Sequence, residues 1–271
     1  MNPFTLAVAQ LRAEPLNKDA NLGRIEAAMR EAAARGAGAI LFSELFLTGY
    51  LLTDALAGLA EPVDGPGIAR LSRLARTFGL LTVCGFPEAA GPNRYNSAVL
   101  IERDGTILGT YRKTHLFGRE PEYFTPGDRV EAVTTSLGRL GVLICYDIEF
   151  PETVRLLAVD GARLVLTATA NMTPYEPYQA VYTRARAMEN GIYFAIANTT
   201  RDLGPFHFFG ESAIVDPDGE PIDRAGSEER ILYAPIDLER VPEDPEVRYL
   251  GHRRPELYQR LAAVASPLNT G

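Results

Sequence analysis

The sequence predicts one α/β domain whose β-sheet structure is mixed, with parallel and antiparallel strands. Short apolar segments rich in β-branched residues alternate with helix-like stretches along the 271 residues. Two of these segments, 96–101 and 106–112, flank Asp104-Gly105, a pair typical of a tight hairpin turn. A hairpin makes its strands antiparallel, whereas strand–helix–strand units make them parallel. Because no composition break or repeat divides the chain, we assign residues 1–271 to a single domain, with an extended tail over about 241–271.

The first half of the chain begins with a predicted strand at 5–10. A helix follows over 17–35, because apolar residues recur there at helical spacing, and Gly36 and Gly38 are its stop signals. The apolar residues on one face of that helix are Leu22, Ile25, Ala28, Met29 and Ala32. The next predicted elements are a strand at 39–42, a helix at 68–78 and a strand at 80–86.

The second half repeats this alternation after the hairpin. Pro151 suits the first position of a helix, because its φ is fixed and the missing N–H has no partner there in any case. Gly161 then ends that helix. The predicted elements, in order, are strand 140–144, helix 151–160, strand 163–168, helix 178–190, strand 192–197, a hairpin around 216–219 and strand 231–236.

The charge and cysteine content exclude several classes of partner. There are 27 basic and 35 acidic residues, so the net charge of −8 opposes binding to nucleic acid. No apolar run approaches the roughly 20 residues that cross a bilayer, and no secretory signal is recognisable at the N-terminus. Two cysteines fit a reducing compartment, so we expect a cytoplasmic protein without membrane association. The three histidines lack ligand spacing, and we expect no metal and no other cofactor.

Three polar residues lie where predicted strands give way to loops. Glu44 follows strand 39–42, Lys113 follows the hairpin, and Cys145 follows strand 140–144. Ligands in α/β proteins bind beyond the carboxyl ends of strands. A thiolate there could attack a carbonyl carbon, a carboxylate could move protons, and an ammonium could stabilise an oxyanion. Taken singly, each residue also has an ordinary structural interpretation, and Cys84, inside an apolar run, is expected to be a packing residue.

Three segments together carry a resemblance to a known family. They are FSELFLTGY at 42–50, YRKTHLF at 111–117 and GVLICYDIEFPE at 141–152. In this order and approximate spacing the chain resembles the nitrilase superfamily of carbon–nitrogen hydrolases. The resemblance implies hydrolysis of a small amide through a cysteine thioester, with Cys145 as nucleophile, Glu44 as general base and acid, and Lys113 as oxyanion stabiliser.

The resemblance also implies a second catalytic glutamate and a particular fold. The family glutamate stands seven residues before a glycine, and in EPEYFTPG at 120–127 this spacing selects Glu120 over Glu122. The implied fold is a four-layer α-β-β-α sandwich with two mixed sheets. It also implies dimerisation through helices, giving a homodimer or a larger homo-oligomer.

Further residues are implied to contact the substrate. The backbone N–H of Tyr146 is expected to join Lys113 around the oxyanion. Glu149 occupies the position at which family members that act on amides of dicarboxylic acids carry an arginine. Three more residues match stretches that border the pocket in relatives, namely Tyr50, Asn171 and Met172.

The type of carbon–nitrogen bond is inferred from the residues beside the nucleophile. True nitrilases in the family tend to have Trp-Glu after the cysteine and a longer chain, whereas this chain has Tyr146-Asp147. We therefore expect an amidase. Hydrolysis of an N-carbamoyl amino acid or amine stays open as the nearest alternative, because a ureido group presents the same carbonyl and releases the same ammonia. Nitrile hydrolysis is less favoured.

Overall fold

The computed structural model describes residues 2–240 and 249–263. In chain order its helices and strands are β1 (Phe4–Gln10), α1 (Lys18–Ala34), β2 (Ala37–Leu41), α2 (Asp54–Ala57), α3 (Pro66–Phe78), β3 (Leu81–Ala90), β4 (Asn93–Ile101), β5 (Ile107–Arg112), β6 (Val133–Thr135), β7 (Gly138–Ile144), α4 (Pro151–Val159), β8 (Leu164–Ala168), α5 (Glu176–Asn190), β9 (Tyr193–Ala197), β10 (Thr200–Leu203), β11 (Phe206–Phe209), β12 (Ala213–Val215), β13 (Pro221–Arg224), β14 (Arg230–Ile236) and α6 (Pro255–Ala263). Two short 3₁₀ turns span Glu120–Glu122 and Cys145–Glu149.

The strands form two six-stranded sheets and one small hairpin. The first sheet has the order β14-β1-β2-β3-β4-β5, the second has the order β13-β12-β9-β8-β7-β6, and β10 pairs with β11. In the first sheet β1, β2 and β3 are parallel, whereas β3, β4 and β5 are antiparallel. In the second sheet β7, β8 and β9 are parallel. The predicted mixture of strand directions is confirmed.

The core is divided into three apolar layers that sit between four structural layers. Leu6 of β1 and Val142 of β7 belong to the cluster between the two sheets, so the sheets pack face to face. On the outer face of the first sheet, Ile25 of α1 and Leu71 of α3 are buried. On the outer face of the second sheet, Leu157 of α4 is buried in the same way with α5. The predicted α-β-β-α sandwich is therefore confirmed.

The parallel strands bring their carboxyl ends together between the sheets. The backbone N–H of Glu44, after β2, donates to the carbonyl of Thr169, after β8, at 3.4 Å. Cys145 directly follows β7, the neighbour of β8 in the second sheet. The loops that carry the polar strand-end residues thus meet at one edge of the sandwich.

Some predictions about the elements need correction. Gly38 lies within β2 and does not end the preceding helix. The strands β6, β10 and β11 and the helix α2 have three or four residues each, too few for a clear periodic signal. The tail predicted as extended contains α6, which begins at Pro255 and is rich in helix-forming residues. The rest of that tail, at 241–248 and 264–271, lies outside the described residues. Among the helices of the described chain, none combines the length and apolarity needed to span a bilayer.

Candidate active site

Lys113 lies between two carboxylates in the interior of the protein. Its Nζ donates to Glu44 Oε1 at 2.7 Å and to Glu120 Oε1 at 2.8 Å. The side chains of all three residues are at most 1% exposed. The structure therefore brings together three residues that are 69 and 7 positions apart in the sequence, and the buried charges compensate one another only in part.

Further donors saturate Glu120 but leave Glu44 with one oxygen unused. Tyr50 OH donates to Glu120 Oε1 at 2.9 Å, and the backbone N–H of Phe117 donates to Glu120 Oε2 at 2.8 Å. Asn96 Nδ2 bridges the two carboxylates, at 2.7 Å from Glu44 Oε1 and 3.3 Å from Glu120 Oε1. In the described part of the chain, the buried Oε2 of Glu44 has no hydrogen-bond partner. Glu120 is thus a fixed anchor for Lys113, while Glu44 retains a free acceptor.

Two glycines let the loops approach closely enough to place Glu44 and Lys113. A Cβ on Gly85 of β3 would lie 2.4 Å from the backbone nitrogen of Leu45, next to Glu44. A Cβ on Gly127 would lie 2.2 Å from the carbonyl oxygen of Arg112, next to Lys113. Since real Cβ atoms do not approach other atoms this closely, both positions require glycine for the observed chain path.

Cys145 sits at a sharp turn between β7 and the helix that Pro151 opens. Its φ is +45°, in the left-handed region that residues with a Cβ rarely adopt. Strained residues of this kind concentrate at functional sites. Tyr146 is the second residue of the short turn that follows, where backbone N–H groups precede the first internal hydrogen bond. The turn exposes the sulfur to a cavity and leaves N–H groups next to it.

The electrostatics of the cluster favour a neutral thiol beside a base that can accept its proton. Burial is the largest effect on Glu44; Lys113 opposes it and the Glu120 charge adds to it. Together these effects raise the pKa of Glu44 to about 7. Burial opposes the charge on Lys113, but Glu44 and Glu120 outweigh it and raise its pKa. Burial and then the Glu44 charge raise the pKa of Cys145, while Lys113 opposes them. The two largest effects on the sulfur thus both favour its neutral thiol form.

A small cavity opens in front of Cys145. All five residues predicted to contact the substrate line it, namely Tyr50, Tyr146, Glu149, Asn171 and Met172, and Phe117, Ala170 and Tyr175 complete the wall. About 20 Å³ is open to the centre of a water molecule, roughly room for one or two waters. The cavity admits only a small group next to the sulfur.

Glu149 lines this cavity and does not form an ion pair with the nearby arginine. Arg186 donates from Nη2 to the backbone carbonyl of Glu149 at 3.0 Å, and its salt bridge is to Glu189 at 3.1 Å. Burial raises the pKa of Glu149, with Arg186 opposing. The carboxyl group is thus available to a substrate.

Several residues that support the site were not singled out from the sequence. Asp147 is buried and accepts from Tyr111 OH, Thr114 Oγ1 and the backbone N–H of His115, at 2.8, 2.8 and 2.9 Å. It thereby ties the loop that carries Lys113 to the turn that carries Cys145. Asn96 starts the apolar part of β4, and Asp147 lies inside the matched nucleophile segment. The signal for Asp147 was its place inside the nucleophile segment, and the signal for Asn96 was a polar residue at the start of a predicted apolar strand.

A sequence profile of the carbon–nitrogen hydrolase family matches residues 5–246. This chain belongs to the carbon–nitrogen hydrolase family. The predicted resemblance to the nitrilase superfamily is confirmed, and the protein is an enzyme of the amidase-like branch.

Two sequence relatives are amidases by name. The omega-amidase of Danio rerio is 35% identical over 271 residues, which cover 95% of this carbon–nitrogen hydrolase and 97% of the relative. An (R)-stereoselective amidase from Pseudomonas sp. is 39% identical over 204 residues, 74% of each chain.

A solved structure agrees over nearly the whole hydrolase. It is a double mutant of the amidase from Nesterenkonia sp. AN1 in complex with acrylamide. The TM-score is 0.87 with 33% identity, and the alignment covers 96% of this chain and 97% of that one. Another structure of that amidase carries the acetamide moiety of fluoroacetamide on its active-site cysteine. The similarity supports amidase chemistry for this carbon–nitrogen hydrolase.

Proposed function

We propose that this enzyme hydrolyses a small amide to a carboxylic acid and ammonia through a thioester on Cys145. The observation that carries the proposal is the free Oε2 of Glu44 in a cluster where every other carboxylate oxygen is occupied. A general base needs an acceptor oxygen that is not already bonded, and the Glu44 charge acts on the Cys145 thiol. A pKa near 7 lets Glu44 both accept and return a proton around neutral pH.

In the first half of the reaction the sulfur of Cys145 attacks the amide carbon. The thiol proton passes to Glu44 as the S–C bond forms, and negative charge develops on the former carbonyl oxygen. Lys113 Nζ and the N–H of Tyr146 stabilise this oxyanion. When the intermediate collapses, the C–N bond breaks and the nitrogen takes the proton from Glu44 and leaves as ammonia.

In the second half a water molecule hydrolyses the thioester. Glu44 removes a proton from the water, whose oxygen attacks the acyl carbon. Lys113 again stabilises the oxyanion, the C–S bond breaks, and the sulfur regains its proton from Glu44. The acid is released, and the enzyme returns to its starting protonation state.

Glu120 contributes to both halves of the reaction through its contact with Lys113. Its carboxylate compensates the ammonium charge and fixes the direction of Nζ, because it accepts from Lys113 while Tyr50 and Phe117 hold it in place. A preorganised charge stabilises a transition state without reorganisation during the reaction. We therefore assign Glu120 to positioning and electrostatic support of Lys113.

The substrate class follows from the size and charge of the cavity. The narrow space beside Cys145 favours a small acyl group, and the Glu149 carboxylate favours neutral or amine-bearing substrates. Two like charges about 4 Å apart repel by about 4 kcal/mol at an effective dielectric of about 20. A repulsion of this size would weaken the binding constant by close to three orders of magnitude. A distal carboxylate on the amide is therefore disfavoured.

We further propose that the enzyme forms a homodimer through its outer helices. Large apolar side chains are exposed on α4 and α5, among them Leu156 and Val181 at 54% and 61% exposure. Contiguous exposed apolar residues mark protein interaction sites. Light scattering after size exclusion tests this, and a monomer at micromolar concentration would contradict it. The expected cytoplasmic location stays a prediction.

Ammonia release from a panel of small amides tests the proposed activity. The panel should include acetamide, propionamide, an amino-acid amide, an N-carbamoyl amino acid and a nitrile. We expect amide hydrolysis by the wild type and none by Cys145→Ala. Cys84→Ala is the matched control, because Cys84 is fully buried in β3. This variant should be less stable than the wild type but should retain turnover. Preferred cleavage of the ureido compound would instead favour the carbamoyl alternative.

A further inference from the structure

A chain of two side-chain amides runs from Cys145 to the backbone between β11 and β12. Cys145 Sγ lies 3.0 Å from Asn171 Oδ1, and Asn171 Nδ2 donates to Gln179 Oε1 at 2.9 Å. Gln179 Nε2 then donates to the backbone carbonyls of Gly210 at 3.1 Å and Glu211 at 2.9 Å. Gln179 lies on α5 and is buried, far from any predicted catalytic segment in the sequence.

The two backbone carbonyls fix the orientation of every amide in this chain. A carbonyl oxygen only accepts, so the end of Gln179 that faces Gly210 and Glu211 must be its NH₂ group. The Gln179 oxygen then faces Asn171, and the Asn171 group that donates to it must be the NH₂ group. The oxygen of Asn171 is therefore the end that faces the sulfur. An acceptor at this position stabilises a thiol, whose S–H can donate, and destabilises a thiolate.

We propose that Gln179 is a positioning residue that sets the amide of Asn171 so that its oxygen accepts the S–H of Cys145 and keeps the nucleophile protonated until a substrate binds. Among the described residues Glu44 Oε2 has no hydrogen-bond partner, so Asn171 Oδ1, and not Glu44, accepts from the resting sulfur. Gln179 and Asn171 together therefore set the reactivity of the resting sulfur. The role in turnover rests on the proposed amidase function, whereas the state of the thiol does not.

Other charged groups near Cys145 act on the same proton and stay unchanged in the test. Glu44 after β2 raises the pKa of the thiol, and Lys113 after β5 lowers it. Glu120 lies behind Lys113, Tyr50 precedes α2, and Glu149 lines the cavity from the turn after Cys145. None of these five is bonded to Gln179 in the described residues. A change at Gln179 thus reports on the amide chain.

The test is the pH dependence of Cys145 alkylation by iodoacetamide in wild type and Gln179→Met. Methionine has a similar length but cannot hold Asn171, so the Asn171 NH₂ group is free to turn toward the sulfur. Gly210 O keeps a donor, Asn198 Nδ2 at 2.7 Å. We expect the midpoint of the profile to fall by about one pH unit, which is about tenfold faster alkylation at a fixed pH below it. The rate is followed on the Cys145 peptide by mass spectrometry.

Thr183→Val is the matched control for disturbance of α5. Thr183 is buried one turn after Gln179, and among the described residues its hydroxyl donates only to the Gln179 backbone carbonyl, at 2.7 Å. Its alkylation profile should match the wild type. An unchanged or raised midpoint in folded Gln179→Met overturns the proposal. Because alkylation requires no amide turnover, this outcome is distinct from failure of the amidase function, which ammonia release reports.

A measurement on the wild type decides the matter if Gln179→Met does not fold. The chain has only two cysteines, so the infrared S–H band of Cys145 is the difference between the wild-type and Cys145→Ala spectra. Cys84 is an internal reference, because its sulfur has only a long contact of 3.7 Å to Gly85 O. We expect a Cys145 band at neutral pH, at lower frequency than that of Cys84. An absent band, or one at equal or higher frequency, overturns the proposal.

Discussion

Glu44 and Glu120 share one ammonium, that of Lys113, at 2.7 and 2.8 Å, yet their environments give them different chemistry. Both oxygens of Glu120 accept hydrogen bonds, whereas Glu44 keeps Oε2 without a partner among the described residues. One positive charge cannot fully compensate two buried carboxylates. Burial, with Glu120 nearby, accordingly raises the pKa of Glu44 to about 7. Glu44 can therefore exchange a proton, while Glu120 holds Lys113 in place.

Glu120→Gln should lower kcat by about 10²–10³ while the fold is retained. The substitution keeps the shape of the side chain but removes the charge that accepts from Lys113. Steady-state kinetics and the thermal midpoint Tm measure the two effects separately.

Glu122→Gln is the control for this substitution. Glu122 lies in the same short turn but is exposed and pairs with Arg119 at 2.7 Å. An exposed ion pair contributes little to stability, so we expect nearly wild-type kinetics. Equal effects of the two substitutions, or full activity of Glu120→Gln, would refute the assignment of Glu120.

The rate of acyl-enzyme formation should rise with pH through about 7. Glu44 must be ionised to accept the thiol proton, and burial raises its pKa to about 7, so the active form is lost as the pH falls below that value. Single-turnover rates measured from pH 5 to 9 give this rise of the acylation rate with pH. Glu44→Gln should remove the activity, and Glu122→Gln should leave the profile in place. A wild-type rate independent of pH across this range would exclude Glu44 as the base.

Amides with a distal carboxylate should be poorer substrates than matched amides with a methyl or ammonium group. Glu149 lines the cavity, and repulsion is expected to lower kcat/KM for the anionic compound. Glu149→Arg should move the preference toward the carboxylate. Glu152→Arg makes the same charge reversal on the exposed start of α4 and should leave the preference unchanged. A clear wild-type preference for the anionic amide would contradict this substrate class.

Asp147→Asn should lower both stability and kcat. Asp147 accepts from donors on two segments, and an NH₂ group in place of one oxygen would oppose donors such as Tyr111 OH and the His115 N–H. Leaving buried donors unsatisfied costs about 1–3 kcal/mol. Denaturant unfolding measures the loss. Asp218→Asn, in an exposed turn, is the control. Equal unfolding free energies of Asp147→Asn and Asp218→Asn would show that the Asp147 contacts do not stabilise the fold.

The sequence located the strand-end residues because buried strands have strong apolar signals. Glu44 and Cys145 come after the buried strands β2 and β7, Lys113 directly follows the half-buried β5, and family motifs surround all three. The two-sheet layering came from the family resemblance, since periodicity cannot tell which helix covers which sheet.

Gln179 could not have been found in the same way. It lies in the first turn of α5, where nothing local distinguishes it from a surface glutamine. Its role depends on how α5 packs beside the loops after β8 and β11, which tertiary contacts alone determine. The helix α6 was missed because the prolines at 241–255 favoured an extended tail.

The most direct test of the account is the mass of the enzyme trapped during slow turnover. An amide with a poorly hydrolysed acyl group is mixed with wild-type enzyme, quenched in acid and digested for mass spectrometry. We expect the acyl mass on the peptide that contains Cys145, with no label on the Cys84 peptide and none in Cys145→Ala. An acyl mass on any other residue, or turnover by Cys145→Ala, would contradict the thioester mechanism.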